Sequence, residues 1–165
     1  MNLSSECQAI EMGMQLERDG RAFYLKAAER TTDPKGRAMF LSLADDEATH
    51  LRVLEEQLAA IQQKGYCEVL PEMGEAPAGW DEELFPKDPA LLEKIVHPEA
   101  SDIDALIFAL QAEHKSYELY RRMAKETQDE KARQMFRWLA SAERGHFNQL
   151  MLNYEALLQT GHWAS

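Results

Sequence analysis

Six residues of this 165-residue chain have the types and spacing for metal chemistry. Glu47-Ala-Thr-His50 places a carboxylate and an imidazole at positions i and i+3, and Glu143-Arg-Gly-His146 repeats the arrangement. On a helix, residues three apart share a face. Glu17 and Glu113 are lone carboxylates in stripes that are otherwise apolar. Four carboxylates gathered in an apolar interior cannot all stay ionised without cations. Two divalent metals would balance them, and the two His would give one nitrogen to each. Iron, zinc and manganese all accept such a ligand set; a carboxylate-bridged pair suits iron and redox or dioxygen chemistry. One interior Glu or His alone is more simply a core ion pair. The metal reading rests on all six standing at matched positions.

The elements that must position them are helices. Residues 37–64 and 99–144 contain neither Gly nor Pro, whereas 65–98 hold five of the six prolines, so two helical blocks flank a connector. The first helix is expected from Ser5, with Gln8 as a capping-box partner, to about Thr31. Asp33-Pro34 starts a second, which runs to Lys64 and stops at Gly65. Ser101 starts a third, running to about Thr127, and Asp129 caps a fourth that runs to Gly161. Apolar residues recur at three and four spacings: Phe40, Leu43, Leu54 and Ile61 in the second helix, Phe136, Leu139, Leu150 and Leu157 in the fourth. Each stripe carries Glu in its middle, and the second and fourth carry His as well.

The two blocks are copies of one another at an offset of 96 residues. Aligning 15–54 with 111–150 gives 15 identities in 40 positions, where unrelated chains would share about two or three. Matched pairs include Glu17/Glu113, Tyr24/Tyr120, Asp33/Asp129, Glu47/Glu143 and His50/His146. Glu17 and Glu47 both lie roughly 20 Å from the turn at Asp33, at about 1.5 Å per helical residue. Glu113 and Glu143 stand likewise about Asp129. Two such hairpins facing each other bring four Glu and two His to one level. The expected fold is an all-α four-helix bundle in a single domain, 1–165, made of hairpin 5–64, connector 65–100 and hairpin 101–161.

Composition removes other classes of function. There are 29 Asp and Glu against 18 Lys and Arg, a net charge of −11, so no nucleic acid is expected as a partner. Apolar runs are too short for a membrane span, and no secretory signal opens the chain. Cys7 and Cys67 can form neither a disulfide framework nor a four-Cys site. A cytoplasmic protein with no membrane attachment is the expectation.

Glu17-x6-Tyr24 with Glu47-x-x-His50, repeated as Glu113-x6-Tyr120 with Glu143-x-x-His146, resembles the ferritin-like superfamily. Within it the pattern is similar to the rubrerythrin-like di-iron proteins. The resemblance covers about 15–60 and 105–157. It implies two iron ions, with zinc or manganese as substitutes, held by Glu17, Glu47, His50, Glu113, Glu143 and His146. Glu47 and Glu143 would bridge, Glu17 and Glu113 would be terminal ligands, and each metal would take one His. It implies reduction of hydrogen peroxide or dioxygen, and a homodimer. Rubrerythrins usually carry a rubredoxin part with two Cys-x-x-Cys pairs, which has no counterpart here. Electrons are therefore expected from a separate donor protein. A further family carboxylate one turn after Glu113 is Ser116 in this chain. Rival readings are a ferroxidase or iron-handling protein, a non-catalytic protein holding zinc, and a monooxygenase with a substrate pocket. Gly20, Ser116 and Gly145 could make room for such a pocket, or simply permit close packing.

Further residues have two readings each. Tyr24 and Tyr120 either hydrogen-bond a ligand carboxylate or only fill the core; Tyr117 is a weaker candidate. Phe40 and Phe136 are read as core, and His114 as surface. Asp46 faces solvent or orients a His of the other hairpin. His97 and His162 receive no role, and Cys7 and Cys67 are read as free thiols. In the connector, a short helix is expected over 88–96, and Trp80, Leu84 and Phe85 could dock on the bundle or on a partner subunit.

Overall fold

The structure, a computed structural model, describes residues 3–65, 71–73 and 101–164. Four helices lie within them: α1 (Leu3–Arg30), α2 (Pro34–Lys64), α3 (Ser101–Glu126) and α4 (Glu130–Thr160), with a short 3-10 turn at Pro71–Met73. The helices form an all-α bundle of the ferritin-like kind. Their ends fall within a residue of those expected, except that α1 already includes Leu3. Ser5 thus stands inside the helix instead of capping it.

The duplication is visible in how each hairpin turns. Asp33 accepts from the Lys35 N–H at 2.8 Å, and Pro34 takes the first helical position, where no N–H is needed. Asp129 accepts from the Lys131 and Ala132 N–H groups at 2.7 and 3.1 Å. Arg37 and Arg133 reach back to the carbonyls of Thr31 and Thr127, tying each second helix to the end of the first. Both long helices stop at a left-handed glycine, Gly65 at φ 75° and Gly161 at φ 73°. Each gives its N–H to the last turn, at Ile61 and Leu157.

Contacts across the hairpins set the register. From one end of α1 to the other, Glu6 meets Thr127, Glu17 meets Tyr120 and Tyr24 meets Glu113, so α1 and α3 run antiparallel. Met39 meets Asn153 and Asp46 meets His146, so α2 and α4 do the same. The core between the four helices is sealed by Phe40, Leu43, Leu54, Leu106, Leu110, Phe136, Leu139 and Leu150, all fully buried. Gly13 lets α3 come close: a Cβ there would lie 2.9 Å from the Tyr120 hydroxyl.

The connector begins on the α2–α4 side, where Glu72 pairs with Arg52 at 2.9 Å and Met73 is buried. The helix expected over 88–96, Trp80, Leu84, Phe85, Cys67 and His97 lie outside the described residues.

After α4 the chain folds back. Trp163 is buried edge-on against Phe40, with ring centroids 5.7 Å apart, and the Ala164 N–H reaches Asn153 at 3.1 Å. Gly36 makes the notch for that ring; a Cβ there would stand 2.6 Å from Trp163. Gly36→Ala is therefore expected to lower stability by about 1–3 kcal/mol through overpacking, as read by chemical denaturation. An unchanged midpoint would mean that the ring is not seated there.

Candidate metal centre

Halfway along the bundle the apolar stripes are interrupted on all four helices. Glu17 comes from α1, Glu47 and His50 from α2, Glu113 from α3, and Glu143 and His146 from α4. None is more than 6% exposed. Their ligand atoms fall into two overlapping groups: Glu17, Glu47, His50 and Glu143, and Glu47, Glu113, Glu143 and His146. Within each group the atoms lie no more than 4.8 Å apart. Glu47 and Glu143 belong to both, which is the position of a bridging pair, and each group has its own terminal Glu and its own His.

The distances show convergence on points between the side chains. His50 Nδ1 lies 3.3 Å from both Glu17 Oε2 and Glu143 Oε1. His146 Nδ1 lies 3.2 Å from Glu47 Oε1, and 3.4 Å from Glu113 Oε1 and Glu143 Oε2. Yet both Nδ1 atoms, both Glu143 oxygens, Glu17 Oε2 and Glu113 Oε2 have no hydrogen-bond partner. Buried polar atoms are nearly always satisfied, and leaving one bare costs on the order of 1–3 kcal/mol. Six such atoms, of nitrogen and oxygen type and gathered in two overlapping groups, could hold metal ions. The residues fit a pair of transition metals.

Around this set, the two tyrosines cross between hairpins. Tyr24 donates to Glu113 Oε1 at 2.5 Å and Tyr120 to Glu17 Oε1 at 2.7 Å. Burial, with the neighbouring Glu113 and Glu17 charges, holds both phenols protonated far above neutrality. They are obligate donors that leave the second oxygen of each lone Glu without a hydrogen bond. Of the two readings of these tyrosines, the hydrogen bond to a ligand carboxylate is the one present.

The two His are supported differently. His146 Nε2 lies 3.0 Å from Asp46 Oδ2, which fixes its ring so that Nδ1 faces the centre. The repeat counterpart of Asp46 is Ala142, so His50 has no equivalent carboxylate from α4. His50 instead meets the edge of Trp138, with centroids 5.2 Å apart; the counterpart of Trp138 is Ser42. The departures from internal symmetry thus point to the residues that distinguish the two halves. Trp138 was not singled out by spacing, and comparing the copies position by position is the signal that finds it.

Other candidates resolve simply. Tyr117, Phe40 and Phe136 are fully buried in the core. His114 is half-buried and lines a surface groove between α1 and α3. His162 is exposed, and Cys7 is a half-buried free thiol. Gly20 and Ser116 line a cleft beside the centre, whereas Gly145 faces open space.

A sequence model of the rubrerythrin family matches residues 8–154, and the chain belongs to that family. A solved structure of a hypothetical protein from Pyrococcus furiosus superposes with a TM-score of 0.67 over 96% of each chain, at 25% identity. No curated protein matches the sequence significantly. Rubrerythrin-family proteins typically bind iron.

Protonation supplies a test of the centre. Burial, and the charges of Glu143 and Glu17, raise Glu47 well above the usual carboxylate range. Burial, with Glu113 and Glu17, does the same to Glu143. Burial would also raise Glu17, but the adjoining Glu47 and His50 outweigh it and bring Glu17 down to about 2. Glu113 is lowered likewise, against its burial, by Glu143 and His146. Burial would lower both His; Glu17 raises His50 in spite of it, and Asp46 with Glu113 raises His146 further. Protons and metal ions thus compete for the atoms of Glu47, Glu143, His50 and His146, whose pKa values are all raised. Metal binding is expected to release protons, and affinity to rise with pH. Calorimetry in buffers of different ionisation enthalpy reads this directly. Groups with raised pKa stabilise the metal-free fold below their unfolded values and lose that contribution as pH rises. The metal-free protein should therefore melt at lower temperature as pH climbs from about 4.5 through the His range near 6.5. A melting temperature that rises over that window would contradict the assignment.

The tyrosine bonds give a second test. Tyr24→Phe and Tyr120→Phe are each expected to weaken metal binding by about 10–100-fold while the helix content stays unchanged. Competition with a metal-sensitive chelator dye measures it.

Proposed function

We propose that the protein is a di-iron oxidoreductase that reduces hydrogen peroxide or dioxygen with electrons from a separate donor protein, working as a homodimer. The observation that carries this reading is the sharing of Glu47 and Glu143 between two complete ligand groups. A lone metal would need only one such group, and a structural zinc site has no use for bridging carboxylates. Two ferrous ions bound there would supply the two electrons that split the O–O bond of peroxide.

The chain's own residues prepare the site for that reaction. Glu17 and Glu113 are held by Tyr120 and Tyr24, so the terminal ligands keep their orientation as charge changes. Glu47 contacts His146, and Glu143 contacts both His, within the centre. His146 is braced by Asp46, and burial of all six excludes bulk water. The reduction balances as one peroxide, two electrons and two protons giving two waters. Asp46, half-exposed and in contact with His146, links the buried ring to solvent.

Loading the protein anaerobically with ferrous iron and recording its optical spectrum tests this. Two irons per chain, oxidised faster by peroxide than by oxygen, are expected. Oxidation mainly by oxygen would move the assignment to a ferroxidase or an oxygenase. Failure to take up iron, with zinc held tightly instead, would overturn the redox reading.

A further inference from the structure

Beside the metal centre, α1 and α3 part to form a cleft of about 350 Å³. Its inner end is made by Glu47, Glu113 and Tyr24, all buried. Its walls are Leu16, Phe23 and Phe108, with the Phe23 and Phe108 rings 4.8 Å apart. Phe108 is 56% exposed and stands toward solvent. The cleft therefore runs from the surface to one bridging and one terminal carboxylate of the centre.

Two small residues keep it open. A Cβ at Gly20 would lie 3.3 Å from Glu47 Oε2, so any larger side chain would press on that carboxylate. Ser116 turns its hydroxyl back to the Ala112 carbonyl at 3.1 Å and adds no charge to a lining whose charged members, besides the two Glu, are Asp19 and Lys115. Hydrogen peroxide needs little more room than a water molecule, whose share of liquid volume is about 30 Å³. A cleft of about 350 Å³ is in the size range of small organic ligand sites. Aromatic and aliphatic walls are no help to hydrogen peroxide, but they match the apolar part of a larger peroxide.

We propose that this cleft takes organic hydroperoxides, with the apolar group between Phe23 and Phe108 and the peroxide group against Glu47 and Glu113. The inference rests on the proposed function and names its substrate class. The reaction is ROOH plus two electrons and two protons giving ROH and water. The O–O bond breaks, and the electrons come from two equivalents of a one-electron carrier protein acting as the separate donor. Tyr24, at the inner end of the cleft, holds Glu113 through its hydroxyl while the cleft is filled.

Steady-state kinetics with cumene hydroperoxide and hydrogen peroxide on the iron-loaded full chain test it. The expected result is a kcat/KM for cumene hydroperoxide at least equal to that for hydrogen peroxide. Ser116→Phe fills the cleft and should lower the ratio of the two by about tenfold or more. Phe108→Ala, at an exposed position that leaves the core intact, should raise KM for cumene hydroperoxide about fivefold. Binding gives a readout apart from turnover. 2-Phenyl-2-propanol, the unreactive alcohol product, should bind the zinc-loaded protein in calorimetry and lose that binding in Ser116→Phe. Hydrogen peroxide reduced well while cumene hydroperoxide is not, or a ratio unmoved by both variants, would overturn this inference and leave the proposed function standing. Reduction of neither peroxide would overturn both.

Discussion

Four carboxylates stand in the dry middle of a helical bundle, and every other feature of the structure answers to that. Burying one ionised carboxylate is costly, and burying four in mutual contact is untenable without compensating positive charge. Without metal, burial and neighbouring carboxylates push the two shared carboxyls toward their neutral form, and Glu17 and Asp46 favour the charged form of the two His. Protons and metals thus compete for one set of atoms. The tyrosines do not join that competition, because each donates a single bond and cannot neutralise a charge. Their work is to fix Glu17 and Glu113 so that convergence is built into the fold before any ion arrives.

Internal duplication solves the placement problem with one design used twice. A hairpin turned by Asp33 or Asp129 brings a lone Glu and a Glu-x-x-His pair to the same height. Antiparallel docking of α1 on α3, and of α2 on α4, then puts the two heights together. The copies have diverged where symmetry would be a constraint. Asp46 braces only His146, Trp138 flanks only His50, and the cleft beside Gly20 and Ser116 meets Glu113 and not Glu17. The two halves of the centre are therefore inequivalent, with the cleft and the carboxylate support of a His both on the half containing Glu113 and His146.

Much of this was legible in the residues, for a physical reason. Helical periodicity, Asp caps and Gly stops are local, so four helices and their ends follow from spacing. The six polar residues interrupt apolar stripes at equal distances from two matched turns, which makes their meeting a matter of counting rise per residue. The capping box at Ser5 failed because α1 extends past it; a fray of two residues costs little at a helix end. Which hairpin faces which, and in what register, is not local. Hence Tyr24 pairing with Glu113, and Tyr120 with Glu17, could be suspected but not assigned. Asp46 was equally open, because its role depends on α4 lying beside α2. The packing of Trp138 on His50 and the cleft at Gly20 arise from side-chain volumes meeting across helices, and no spacing rule reports them.

On the function proposed above, one chain holds two metals through six side chains, with two of them shared. X-ray diffraction from crystals grown with ferrous iron, recorded on both sides of the iron absorption edge, tests it most directly. The account predicts two anomalous peaks per chain. One should be ligated by Glu17 and His50, the other by Glu113 and His146, and both should touch Glu47 and Glu143. A single peak, or iron bound elsewhere with these six side chains left in contact only with one another, would contradict it.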